Sequence, residues 1–253
     1  MSLSYYESSR GIKLAYIHKS PTKAGENIPA VMFLGGFKSD MEGTKARYLE
    51  EQCTNRGQEF LRFDYSGHGQ SGGAFVDGTI GAWLQDAVEV MDHVLDGRDV
   101  ILVGSSMGGW IALRMLLADA KAIKGVIGIA AAPDFTKDVE RAMGQAEHEM
   151  MARLDRLEVP NDYSDEPYIF TRALLEEGAQ QCVLGQEYSI QVPLILIQGK
   201  QDADVQWEKA VAIKQAFNGP QTNIIFIEDG DHSLSRESDL AIIGREVQAL
   251  SGL

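Results

Sequence analysis

Short apolar runs bounded by glycine and polar residues alternate along most of the chain with longer stretches in which apolar side chains recur at helical spacing. Residues 5–8 and 13–17 flank Arg10-Gly11 and predict an opening antiparallel hairpin. The run Ala30-Val31-Met32-Phe33-Leu34 stops at Gly35-Gly36, as a strand buried on both faces of a covered sheet would. A helix over 44–56, a strand over 59–63, a helix over 79–95, a strand over 100–103, a helix over 107–117 and a strand over 123–130 are predicted next. Such alternation implies an α/β fold with a mostly parallel central sheet, right-handed crossovers and helices on both faces.

The alternation lapses after Pro133 and resumes only with a strand over 194–198, a helix over 206–217, a strand over 223–227 and a helix over 237–250. Within the gap Phe135, Val139, Met143, Ala146, Met150, Leu154 and Leu157 recur at three- and four-residue spacing, which predicts one amphipathic helix. A second helical stretch is predicted over 168–181. The expected architecture is therefore a single domain spanning 1–253, with a small helical, lid-like insertion at about 134–191. Flexible methionine thioethers adapt well to alkyl chains, and the insertion leaves a C-terminal strand end. Met143, Met150 and Phe170 are accordingly candidate substrate-binding residues.

A chain of 253 residues suits one α/β domain. Its 37 acidic against 23 basic residues leave a formal charge of −14, which opposes approach to a phosphate backbone or an anionic bilayer. No nucleic-acid partner is expected. Cys53 and Cys182 are too few and too far apart for a disulfide framework, which predicts a reducing compartment. Residues 1–7 lack the basic and apolar regions of a secretory signal, and no apolar stretch is long enough to span a bilayer. The expectation is a soluble, cytoplasmic protein with no membrane insertion; the oligomeric state is not encoded in any motif.

Gly104-Ser105-Ser106-Met107-Gly108 is a G-x-S-x-G between a predicted strand and a predicted helix, where that motif forces its serine into a strained, exposed turn. Ser106 is thus the candidate nucleophile. A serine hydroxyl needs a base to accept its proton and a third group to orient that base. Asp202 follows the strand at 194–198 and His232 follows the next strand, so both sit at C-terminal strand ends that share one crevice with Ser106. Asp134 and Asp204 are rival acids, read as a helix N-cap and a solvated loop residue. His18, His93, His148 and His68 are less well placed as the base. Two donors are expected to face a developing oxyanion, the backbone N–H groups of Met107 and Phe37. Gly67-His68-Gly69-Gln70-Ser71-Gly72 fits a dinucleotide fingerprint, but no helix opens at its third glycine to receive a pyrophosphate. His148-Glu149 lacks the second histidine of a zinc-protease motif, because position 152 is alanine. Neither a cofactor nor a metal is expected.

These segments together resemble the α/β-hydrolase superfamily over nearly the whole chain. Arg62-Phe63-Asp64-Tyr65-Ser66-Gly67-His68-Gly69-Gln70-Ser71 looks like its R-x-D-x-x-G-x-G-x-S segment, and residues 199–205 look like its G-x-x-D-x-x-V acid motif. More narrowly, Met41-Glu42-Gly43-Thr44-Lys45-Ala46, Arg62-Phe63-Asp64-Tyr65-Ser66-Gly67 and the stretch 102–110 resemble the subfamily of the mitochondrial palmitoyl-protein thioesterase, also called acyl-glucuronide esterase. One departure is Gly35, at the place of the histidine in the His-Gly pair of many α/β hydrolases. The resemblance implies a cofactor-independent serine hydrolase that cleaves carboxylic esters or thioesters, its substrates small molecules or acylated proteins. A lactonase, an amidase and a perhydrolase share this chemistry. A ligand-binding protein that keeps a silent triad is the alternative from another class.

Overall fold

The computed structural model describes residues 2–118, 121–161 and 166–253. An antiparallel pair, β1 (Ser4–Glu7) and β2 (Lys13–Lys19), opens the chain. Strands and helices then alternate as β3 (Ala30–Leu34), α1 (Thr44–Asn55), β4 (Phe60–Phe63), α2 (Ile80–Leu95), β5 (Val100–Ser105), α3 (Met107–Ala118) and β6 (Ile123–Ile129). The insertion contributes α4 (Phe135–Ala142), α5 (Gln145–Leu154), β7 (Arg156–Val159), β8 (Tyr168–Thr171), α6 (Arg172–Gln180) and β9 (Tyr188–Ser189). Alternation resumes with β10 (Leu194–Gly199), α7 (Glu208–Ala216), β11 (Phe217–Asn218), β12 (Thr222–Ile227) and α8 (Glu237–Leu250).

Eight strands form one sheet in the order β1-β2-β4-β3-β5-β6-β10-β12. It is parallel from β4 onward, and β2 runs antiparallel to both its neighbours. Period-two alternation along each central strand divides the core between the two faces. Met32, Leu34 and Leu102 point into the cluster that holds Trp83 of α2, Trp110 of α3 and Ile213 of α7. Val31, Phe33, Ile101 and Val103 point the other way, against Leu49 of α1 and Val247 of α8. Because the parallel strands run the same way, the loops leaving β3, β5, β6, β10 and β12 share one edge of the sheet. That edge carries every candidate catalytic residue.

The insertion differs from the predicted pair of helices in two places. Its first helix breaks at Met143, which is extended, and α5 starts afresh at Gly144, whose N–H donates to Glu147 Oε2 at 3.0 Å. Apolar spacing runs across the break, so periodicity alone joins the two pieces. The second difference is that Leu157, expected on the first helix, lies in the strand Arg156–Val159, and Tyr168–Thr171 is strand paired antiparallel with it. Aromatic and β-branched side chains favour extended backbone there. A helix begins only at Arg172, once Thr171 Oγ1 accepts the Leu174 N–H at 3.1 Å. Positions 162–165 of the expected lid segment lie outside the described residues. The far end of the insertion is tied back by Asp134, whose carboxylate accepts the N–H groups of Val183 and Leu184 at 2.8 and 3.0 Å. Among the described residues no helix is long and apolar enough to cross a membrane.

Candidate active site

The chain turns from β5 into α3 at a single residue, Ser106, which takes a left-handed φ of 53°. Two glycines make the turn possible. A Cβ at Gly104 would lie 2.2 Å from the Gly108 carbonyl oxygen, and one at Gly108 would lie 2.1 Å from that of Leu34. Neighbouring backbone pins the turn on both sides: Ser106 N–H donates to Ile129 O at 2.9 Å, and Ala132 N–H donates to Ser106 O at 3.0 Å. Met107 opens α3, so its N–H has no acceptor within the helix and points toward the N-terminal, positive end of the dipole.

Asp202 follows β10 and is buried, while His232, in the loop after β12, is only partly covered. His232 Nδ1 donates to Asp202 Oδ2 at 2.9 Å, which leaves Nε2 as the basic nitrogen. The carboxylate is itself held. Oδ2 also accepts Gln198 Nε2 at 2.9 Å, and Oδ1 accepts the N–H groups of Asp204 and Val205 at 2.9 and 2.8 Å. Donor atoms of Asp202, Asp204 and His232 lie within 4.8 Å of one another, in number enough for a cation. Each Asp202 oxygen already takes two hydrogen bonds, however, and Nδ1 is spent as a donor. The arrangement orients an imidazole and does not fit a metal.

The rival acids fall elsewhere. Asp134 stands at the N-terminus of α4 but makes no side-chain cap, binding Val183 and Leu184 instead. Asp204, expected to be a solvated loop residue, is exposed and stands at the rim of the site beside His232. The other histidines are occupied in different ways. His18 Nε2 pairs with Glu59 at 2.7 Å, His93 stacks on Tyr6 with ring centroids 4.6 Å apart, and His148 lies exposed on α5. His68 is buried.

The loop after β3 runs beside the serine, since a Cβ at Gly36 would lie 3.5 Å from Ser106 Cβ. Ser39 N–H donates to Gly36 O at 3.2 Å and closes the turn around Phe37 and Lys38. The Phe37 ring stacks flat on Phe170 at 5.2 Å and meets Phe75, Phe135 and Tyr168 edge-on. Ser106, Phe37 and His232 all line one cavity of about 830 Å³. Of the candidate substrate-binding residues, Met143 and Phe170 line it. Met150 packs, partly buried, against the main hydrophobic cluster. Lys38 and Lys45 also reach the cavity and carry no signal in the linear sequence. Burial pushes the Lys45 ammonium down to about 8, against the pull of Asp231 and Asp239.

Backbone strain concentrates at this edge. Of the seven described non-glycine residues with positive φ, Lys38, Ser106, Ala130, Asp134 and Leu234 lie in loops at the C-terminal ends of β3, β5, β6 and β12, Asp134 being also the N-cap of α4, and Asp96 and Asp155 are helix C-caps. Left-handed conformations cost non-glycine residues energy and persist where the surrounding structure holds them, as at reactive sites.

Comparison with known proteins places these residues in context. Residues 25–173 match the model of a family described as serine aminopeptidase, S33. The chain is 30% identical over 243 residues to the mitochondrial palmitoyl-protein thioesterase ABHD10 of Mus musculus, covering 96% of this chain and 80% of that protein. A solved structure from Agrobacterium vitis S4, described as a hydrolase, superposes with a TM-score of 0.92 at 37% identity, covering 99% of this chain and 100% of that one. Mouse α/β hydrolase domain-containing protein 10 superposes with a TM-score of 0.89 at 29% identity, covering 99% and 98%. The curated relatives are mitochondrial by name, which overturns the expectation of a cytoplasmic protein.

Proposed function

The chain belongs to the serine aminopeptidase S33 family and is an ester or thioester hydrolase, and we propose that it works through an acyl-enzyme formed on Ser106. His232 Nε2 takes the proton from Ser106 Oγ as that oxygen attacks the substrate carbonyl carbon. The carbonyl oxygen becomes an oxyanion and is met by the N–H groups of Phe37 and Met107. As the intermediate collapses, His232 returns the proton to the leaving thiol or alcohol. Water, activated by the same imidazole, then releases the acid. Asp202 holds the Nδ1–H tautomer throughout and offsets the charge on the imidazolium. This reading rests on the 2.9 Å hydrogen bond between His232 Nδ1 and Asp202 Oδ2, made at the rim of the cavity that Ser106 also lines.

The acyl group belongs under the insertion. On this reading the chain is one hydrolase domain whose residues 134–191 act as its lid. Phe135, Met143, Leu157 and Phe170 supply an apolar wall, and a volume of about 830 Å³ falls within the roughly 300–1,000 Å³ common for ligand pockets. The thioesterase relatives make fatty-acyl thioesters, free or on proteins, the leading substrates. A panel of p-nitrophenyl esters and matched thioesters from acetyl to palmitoyl tests this. The reading expects kcat/KM to rise with chain length before levelling. A flat or falling profile would remove the acyl assignment of the insertion.

A further inference from the structure

The Gly67-His68-Gly69 loop, which has the glycines of a dinucleotide motif without its helix, delivers a side chain to the back of the active site. His68 is 3% exposed, with the rings of Tyr65, Phe75 and Trp83 at centroid distances of 5.6, 5.1 and 5.1 Å. Its Nδ1 lies 3.2 Å from the Ser66 carbonyl oxygen, which only accepts, so Nδ1 carries the proton. Nε2 is then a lone pair, and the Lys38 N–H donates to it at 3.3 Å. Burial draws the ring down to about 4, so at neutral pH it is uncharged and keeps that lone pair.

Lys38 is a sensitive place to be held. It follows Phe37 directly and adopts a φ of 57°, a conformation that a lysine does not take without outside support. Fixing the Lys38 N–H fixes the plane of the Phe37–Lys38 peptide, and the stacked rings fix the Phe37 side chain. The Phe37 N–H itself belongs to the Gly36–Phe37 peptide, whose carbonyl oxygen accepts the Ser39 N–H at 3.2 Å, so the restraints on both peptides and on the ring together aim it. A histidine serving only as core would need nothing from the loop, and an aromatic hydrocarbon would fill its space as well.

We infer that His68 is a positioning residue of the oxyanion hole, its neutral Nδ1–H tautomer anchoring the Lys38 N–H and so aiming the Phe37 N–H at the developing oxyanion. The inference rests on the reading of Phe37 N–H as an oxyanion donor. Gly35 leaves the loop without a histidine of its own, and His68 supplies the support from a different strand end.

The test compares His68→Asn, His68→Gln and His68→Leu by steady-state hydrolysis of a p-nitrophenyl ester and by inhibition with an alkyl trifluoromethyl ketone, whose serine adduct carries an oxyanion. The asparagine amide can still donate to Ser66 O but falls short of Lys38, whereas the glutamine amide oxygen reaches the place of Nε2. Removing an oxyanion donor outright costs roughly 10²–10³ in kcat, so misaiming one is expected to cost about tenfold in the asparagine and leucine variants. KM should stay within about twofold, ketone affinity should fall in step with kcat, and glutamine should restore most of both. The asparagine variant carries the test should the leucine variant not fold. Unchanged kcat and ketone affinity in the asparagine variant, whatever happens to its melting temperature, would overturn the inference and leave the hydrolase reading standing. A wild-type enzyme that hydrolyses the ester yet does not bind the ketone would instead overturn the oxyanion-hole reading, and this inference with it.

Discussion

The edge of the sheet and the insertion above it are built on opposite terms. At the edge, backbone passes so close to backbone that Gly104 and Gly108 have no room for a Cβ, strained residues cluster, and both Asp202 oxygens have their hydrogen bonds filled. In the insertion the helices are short, α5 is mostly exposed, and Gly185 has nothing within 4 Å of where a Cβ would sit. One region is over-determined and the other adaptable. Proton transfer and oxyanion contacts fail with small displacements, so a rigid edge suits them, and adaptable parts suit a variable acyl chain.

The sharpest way to break this division is to exchange an aspartate in each region. Asp202→Asn should lower kcat by about 10⁴-fold, because an amide no longer secures the Nδ1–H tautomer of His232. Asp134→Asn should keep kcat within about threefold and instead lower stability by about 1–3 kcal/mol, since it weakens the clasp on Val183 and Leu184. Reversed outcomes in the ester assay and urea melts would move the acid to Asp134. A pair of glycines gives the next contrast. Gly108→Ala must displace the Leu34 carbonyl and should cost more than about 3 kcal/mol, whereas Gly185→Ala, with open space but a φ of 86°, should cost about 1 kcal/mol. Comparable losses in the two melts would mean that the edge is less constrained than its close contacts imply.

His68 gives a test by pH. Its folded-state value is about 4 against an ordinary histidine near 6.5, so the unfolded chain binds a proton between those values that the folded chain does not. The stabilisation is complete above pH 6.5 and is lost as pH falls toward 4, about 3 kcal/mol in all for this group. The urea stability of wild type should therefore drop more steeply over that window than that of His68→Gln, and parallel curves would mean that the ring is not held neutral. The smallest effects belong to the wall. Met143→Ala should shift the preferred acyl length, with acetyl-ester turnover changed by less than about threefold. Equal losses at every chain length, with a lower melting temperature, would mark this side chain as core.

The same division governs what was legible in the sequence. Ala30–Leu34 and residues 100–103 are continuous apolar runs because both sheet faces are covered, and the residues following them could be placed at one edge because parallel strands end on the same side. The register of Gly104, Ser106 and Gly108 carries its own steric reason. The insertion hid its break at Met143-Gly144, because the apolar spacing continues across a joint that resets the helical phase, and so Met150 does not share the cavity face with Met143. Tyr168–Thr171 became strand through pairing with β7, a long-range partner that local periodicity does not report. The Lys38–His68 contact joins two loops 30 positions apart and left no trace in spacing.

The proposed mechanism stands or falls on acylation of Ser106. Intact-mass and peptide-mapping mass spectrometry after exposure to an alkyl fluorophosphonate measures it most directly. A single adduct on Ser106 is expected, formed in step with loss of ester hydrolysis and absent from Ser106→Ala, which should keep its fold while losing turnover by at least about 10⁴-fold. An adduct on another residue, or undiminished hydrolysis by Ser106→Ala, would contradict it.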